Sequence, residues 1–129
     1  MMIIRDCRLI KPLYCGKDST VVEAAIILRD NKQRRLIVVD EDKKPIGIIS
    51  TTDINNKVVA QNKDASKMTI KDIMTSPVYL VADINEEVNV VFGKMLKHET
   101  FFVPITEKGK LIGILTYGEL MEKANEAKK

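Results

Sequence analysis

Residues 47–54, GIISTTDI, recur 66 positions later as residues 113–120, GILTYGEL. In a chain of 129 residues this doubling leaves little freedom, because the length suits one ordinary domain or two very small halves. A half of ~60 residues buries only ~60% of the surface its unfolded chain exposes, so two such halves are marginal unless they pack together. The repeat therefore predicts two related halves that bury one another's apolar faces.

The similarity runs well upstream of the doubled phrase. Val21, Ala24, Ala25 and Leu28 fall at i, i+3, i+4 and i+7, the apolar stripe of an amphipathic helix, and Val88, Val91, Phe92 and Met95 repeat those steps. Residues 36–39 (LIVV) and 101–105 (FFVPI) are short, continuous apolar runs and predict strands. Polar turns at 40–45 and 107–111 lead into second strands at 46–49 and 111–115. The second turn is one residue shorter, a change tolerated in an exposed hairpin but not inside a strand, where every later side chain would switch faces. Ser50 and Thr116 open closing helices that carry Ile54 with Val58, and Leu120 with Ala124, on one face. Apolar pieces at 13–15 and 78–81 predict a leading strand for each half.

Each half thus reads β-α-β-β-α in an α+β chain, with repeat 1 over residues 1–62 and repeat 2 over 63–129. Residues 61–67 are polar and serve as a connector, and 69–74 predict a short capped turn. Pro104 has no N–H to give a ladder and predicts a short or peripheral strand.

Composition excludes several classes. With 45% hydrophobic residues, 5% aromatics and no tryptophan, the core must be aliphatic. A net charge of +3 from 21 basic and 18 acidic residues provides no basic stripe for a phosphate backbone, so nucleic acid is not the expected partner. Arg5, Asp6 and Arg8 interrupt any secretory signal, and the longest apolar stretch, residues 24–28, is far below a membrane span of ~20 residues. A cytoplasmic protein is expected. Cys7 and Cys15 lack CxxC spacing and read as reduced thiols; His98, the single histidine, reads as a surface residue, with no metal site and no catalytic pairing. Gly16-Lys17 fails as a phosphate-binding loop because Lys11 and Asp18 stand where glycine and Ser/Thr are needed. No G-x-S-x-G or H-E-x-x-H occurs, and no enzyme is expected.

The closing turn supports two readings. Ser50-Thr51-Thr52-Asp53 fits a capping box, the Ser50 hydroxyl accepting a helix N–H and the Asp53 carboxylate reaching back to the cap N–H, for ~1 kcal/mol and no ligand. Thr116-Tyr117-Gly118-Glu119 fits the same pattern. The same turn also fits a ligand pocket, with Asp53 taking two hydrogen bonds from the vicinal hydroxyls of a ribose and Ser50 beside an anion.

Taken together, residues 20–24 (TVVEA), 35–40 (RLIVVD), 47–53 (GIISTTD) and 71–75 (KDIMT), within a tandem β-α-β-β-α repeat, resemble the CBS domain pair, or Bateman module, of the small stand-alone kind. The likeness covers nearly the whole chain. It implies two small sheets packed face to face with helices outside, and clefts between the repeats for adenosine compounds such as AMP, ADP, ATP, S-adenosylmethionine or NAD. It also implies homodimers, and no required cofactor. Carried onto this sequence, it assigns Asp53 to the ribose hydroxyls, Ser50 and Thr51 to ribose or phosphate, and Ile48 and Ile49 with backbone around Leu13 and Cys15 to the base. Arg34 and Arg35 stand where phosphate-binding members place basic residues, a contact of ~1.5–3 kcal/mol, and equally read as solvated strand-end charges. In the second half Glu119 replaces the aspartate and residues 100–102 (TFF) replace the arginines. Thr116, Glu119, Ile114 and Phe102 are therefore expected to form a weaker site. The function implied is a regulatory sensor of an adenosine nucleotide that modulates a dimer or an effector protein; the alternative is a ligand-free dimerisation adaptor.

Overall fold

The computed structural model of the chain describes residues 1–127. Its elements run β1 (Tyr14–Gly16), α1 (Val21–Asn31), β2 (Arg35–Val39), β3 (Pro45–Ser50), α2 (Thr51–Ile54), β4 (Ala82–Asp83), α3 (Val88–His98), β5 (Phe102–Glu107), β6 (Lys110–Thr116) and α4 (Tyr117–Ala127). This is β-α-β-β-α twice, in two three-stranded sheets ordered β1-β2-β3 and β4-β5-β6. The first pair of each sheet is parallel and the second antiparallel. That pattern follows from connectivity, since parallel neighbours need a crossover helix and antiparallel ones need only a hairpin. The register irregularity between Val38 and Val39 recurs between Ile105 and Thr106.

The chain divides into two compact units, one of Leu13–Val78 and one of Met1–Pro12 with the chain from Tyr79 onward. The repeat boundaries expected from the sequence, 1–62 and 63–129, group the first twelve residues with the first repeat instead. Backbone pairing gives the reason for the different grouping. In the first unit Ile48 and Thr75 exchange hydrogen bonds of 2.9 and 2.8 Å, and Ile70 is fully buried. In the second unit Ile10 and Ile114 exchange two of 3.0 Å, and Ile4 is fully buried. Both leading segments begin with a one-turn 3-10 helix, Ile4–Asp6 and Ile70–Asp72, again 66 positions apart, so the repeat extends further towards the N-terminus than the apolar pattern reveals.

Each unit has its own aliphatic core. Val21, Ala24 and Leu28 of α1 meet Leu36, Val38 and Ile49 in the first; Val88, Val91 and Met95 of α3 meet Val103, Ile105 and Leu115 in the second. The two hairpins differ as their lengths require. Glu107 faces Lys110 across a two-residue turn with positive φ at Lys108 (53°) and Gly109 (81°), the conformation such a turn needs. The longer first turn is organised by Asp40, whose Oδ1 accepts from the N–H groups of Asp42 (2.9 Å) and Lys44 (3.0 Å).

Pro104 acts differently from the expectation. Its own strand is six residues long and central in its sheet. Opposite Pro104, the N–H and C=O of Ile114 are both committed to Ile10, so the missing proline donor leaves no gap on the β6 side. The cost falls on β4. In the first sheet Ile37 N–H donates to the Leu13 carbonyl (3.1 Å) and β1 pairs from Tyr14. Pro104 holds the position of Ile37 and cannot donate, and β4 pairs only at Ala82 and Asp83 rather than along residues 78–81.

Candidate functional site

The two glycines of the doubled phrase are fixed by packing within each unit. A Cβ on Gly47 would stand 2.7 Å from Met74 Sδ and 3.0 Å from the Thr75 carbonyl oxygen. A Cβ on Gly113 would stand 2.9 Å from Leu9 Cβ. The leading segment crosses over each glycine, and only a bare Cα admits it. Beyond Gly47 the strand alternates faces. Ile49 is fully buried in the core, whereas Ile48 is half-buried on the other face and bonds the segment at Thr75.

At the end of β3 the capping box forms in full. Ser50 Oγ accepts from Asp53 N–H (3.1 Å), and Asp53 Oδ2 accepts from Ser50 N–H (3.0 Å) and from the Ser50 hydroxyl (3.1 Å). The Asp53 side chain is only 13% exposed, and its Oδ1 lies 3.0 Å from Lys57 Nζ. Lys57, 42% exposed, also donates to the Ile73 carbonyl at 2.9 Å. The carboxylate therefore serves its own cap with one oxygen and, through an ammonium, the leading segment with the other. After α2 the chain continues as a π-helical turn, Asn55–Val59, which carries Lys57 outward and Val58 into the core.

The remaining predicted residues divide. Thr51 N–H donates to the Arg34 carbonyl (3.0 Å), which brings those two residues together. Both line an open groove of about 510 Å³ with Ala25, Arg29, Ile54 and Val59, a lining that does not include Ser50 or Asp53. Arg34 and Arg35 are exposed, and Leu13 is half-buried against the core. Cys15 is a core residue whose thiol donates to the Ile37 carbonyl at 3.9 Å. Burial, then the Glu23 charge, pushes that thiol up to about 12. The Cys7 thiol is pushed up to about 11, first by burial and then by Glu119. Both cysteines are free.

The second closing turn is built from matching positions with different chemistry. Thr116 Oγ1 accepts from Glu119 N–H (3.3 Å), but Glu119 Oε2 accepts from the Arg8 N–H at 2.7 Å, a reach that the extra methylene of glutamate allows. Lys123, the counterpart of Lys57, pairs with Glu126 at 3.6 Å. Tyr117 N–H donates to the Phe101 carbonyl (2.8 Å), as Thr51 does to Arg34, so Phe101 holds the place of Arg34. Phe101 is 73% exposed and meets Tyr117 edge-on, with ring centroids 6.2 Å apart; Phe92 lies 6.0 Å from the same ring. Ile114 is buried and Phe102 half-buried.

Sequence reasoning missed Lys57, Ile73, Thr75 and Arg8. Asp53 and Lys57 stand four apart on a predicted helix, the spacing of an ion pair, and that signal was available. The leading segments pair at long range, and only the capped turn at residues 69–74 left a signal, which forms as the Thr69–Asp72 capping box. Among the described residues no group of three His, Cys, Asp or Glu could hold a metal, and no helix is long and apolar enough to cross a membrane.

Known proteins share this architecture. The CBS domain family model matches residues 4–60 and 70–126. The protein YlbB of Bacillus subtilis is 34% identical over 130 residues, covering 98% of this chain and 86% of its own length. MK0525 of Methanopyrus kandleri is 35% identical over 108 residues, covering 81% of this chain; the chain spans 53% of that relative's length. The structure of the CBS domain protein PAE2072 from Pyrobaculum aerophilum, complexed with AMP, superposes with a TM-score of 0.73 at 25% identity, covering 96% of this chain and 99% of that one. With both of its repeats matched by the same family model, the chain belongs to the CBS domain family and carries two tandem copies.

Proposed function

We propose that this CBS pair is a regulatory sensor that binds an adenosine-containing nucleotide at the closing turn of its first repeat. The observation that carries the reading is the Asp53 carboxylate, only 13% exposed and oriented by its cap, with its second oxygen held by a side chain that is 42% exposed and can move aside. Ile48 supplies a half-buried apolar neighbour, and PAE2072, with AMP bound, supports a nucleotide as the ligand class. In this reading Asp53 takes the ribose hydroxyls with Ser50 beside it. Thr51, Arg34 and Arg35 serve phosphates, while Ile48 and the backbone around Leu13 to Cys15 shape the surroundings of the base; the side chains of Ile49 and Cys15 face the core and do not reach it. The weaker counterpart comprises Thr116, Glu119, Ile114 and Phe102. The ligand acts by favouring one arrangement of a homodimer or of an effector protein over another, with no catalytic step and no required cofactor. The two free thiols accord with work in the cytoplasm.

A second reading rests on the same carboxylate, because both Asp53 oxygens are already engaged without a ligand. On that basis the chain is a dimerising adaptor that needs no nucleotide. Thermal unfolding with AMP, ADP, ATP, S-adenosylmethionine and NADH separates the two. A ligand at a hundredfold its dissociation constant adds ~2.7 kcal/mol and raises Tm by several degrees, an increase that Asp53→Ala should remove. No increase with any of the five favours the adaptor.

A further inference from the structure

Lys57 joins two acceptors of different kinds, the Asp53 carboxylate at 3.0 Å and the Ile73 carbonyl at 2.9 Å. An ionised carboxylate has about four acceptor positions. Three are taken here, two on Oδ2 by Ser50 and one on Oδ1 by Lys57. A vicinal diol brings two donors together, and one vacant position on Oδ1 does not seat both. We propose that Lys57 is a latch: a diol settles on Asp53 by displacing the Lys57 ammonium, which then leaves the Ile73 carbonyl and loosens residues 73–77.

The chemistry of the two contacts sets the direction of this coupling. A lysine stem is flexible, and the charge-assisted bond to carboxylate holds the ammonium more firmly than a neutral carbonyl does. Once Oδ1 is taken, a single bond from a half-exposed ammonium to a carbonyl holds little against water. Ile73 is buried in the core and Met74 packs against it, and beyond them the segment is lightly anchored. Thr75, Ser76 and Pro77 are exposed, and after Ile73 the chain is held chiefly by the Met74 N–H on the Ile70 carbonyl (2.9 Å) and the two bonds between Thr75 and Ile48. Such segments lie at the low end of local stability. The second unit has no such relay among its described residues, because Glu119 bonds Arg8 directly and Lys123 pairs with Glu126. An ion pair that only steadied the helix would leave residues 73–77 unchanged.

The proposal rests on the nucleotide reading, and amide hydrogen exchange at Met74 and Thr75 tests both while keeping them distinct. In ligand-free protein, Lys57→Met should exchange both amides ~5-fold faster or more than wild type, with the β2 amides unchanged. AMP should quicken the same two amides in wild type and add nothing in Lys57→Met, and a 2′,3′-dideoxy analogue of AMP should not quicken them. Equal exchange in the two ligand-free proteins overturns the latch whether or not a nucleotide binds. Binding of AMP that leaves Met74 and Thr75 unchanged or slower in wild type overturns the latch and leaves the nucleotide reading standing. Faster exchange in ligand-free Lys57→Met, with none of AMP, ADP, ATP, S-adenosylmethionine and NADH binding either protein, overturns both the reading and the ligand-driven step.

Discussion

Asp53 and Glu119 close their repeats 66 positions apart, and one methylene separates what they do. Asp53 is too short to reach the leading segment, so it completes its own cap and contacts that segment through Lys57. Glu119 is long enough to bond the Arg8 N–H itself. Glu119 is thereby tied directly to its leading segment. Asp53 reaches its own only through a half-exposed ammonium, the contact that the proposed reading gives up to a ligand. Around the turns the difference deepens, with Arg34 beside Thr51 in the first repeat and Phe101 against Tyr117 in the second. Cations suit a phosphate; an exposed aromatic edge does not.

The largest effects test whether the two units are equivalent beneath this difference. Ile49→Ala and Leu115→Ala empty matching, fully buried positions and should each cost about 2–5 kcal/mol in urea unfolding. A loss below ~1 kcal/mol at one of them would break the equivalence. Gly47→Ala and Gly113→Ala should each cost about 1–3 kcal/mol by pressing on the crossing segment. Gly113→Ala should be the more severe, because Leu9 Cβ at 2.9 Å is fixed to the backbone, whereas the shortest contact at Gly47 is to Met74 Sδ within a flexible side chain and the backbone oxygen of Thr75 stands at 3.0 Å. Equal tolerance of alanine at both positions would show that the segments do not lie over the glycines.

Smaller losses separate the two carboxylates. Asp53→Ala should cost about 1 kcal/mol through its cap, and Glu119→Ala a comparable ~1 kcal/mol through the bond to Arg8, yet only Asp53→Ala should abolish a nucleotide-induced rise in Tm. The smallest effect at neutral pH concerns the thiols. Each has a folded-state value above the ordinary 9.0, near 11 for Cys7 and 12 for Cys15, so each contributes stability that is complete below pH 9. That contribution declines as pH rises from 9 towards those values, because the unfolded chain gives up its proton first. Unfolding measured between pH 8 and 11 should therefore show falling stability, with a shallower fall in Cys15→Ala. Unchanged slope in that variant would mean the thiol is not buried.

Much of the fold was legible because it is local. The i, i+3, i+4, i+7 spacing of Val21 to Leu28 marked α1, and the continuous apolar run Leu36 to Val39 marked β2. The leading segments were less legible. The turn capped by Thr69 and Asp72 was visible as four consecutive residues, but Ile4 and Ile70 are buried by contacts far along the chain that no periodicity reveals. Pro104 shows the same limit from another side. Its missing donor was plain, but which neighbour would lose a bond depended on the pairing of Ile114 with Ile10. Within the candidate site, Ser50 and Asp53 were legible as a cap because a capping box is four consecutive residues. Lys57 was within reach of the same reasoning, whereas its acceptor, Ile73, is a backbone carbonyl that no side-chain pattern identifies.

Calorimetric titration of whichever of the five nucleotides raises Tm most into wild type, Asp53→Ala and Glu119→Ala tests the asymmetry most directly. The expected result is one strong site per chain, lost in Asp53→Ala and kept in Glu119→Ala. Two equal sites in wild type, or full binding in Asp53→Ala, would contradict the account.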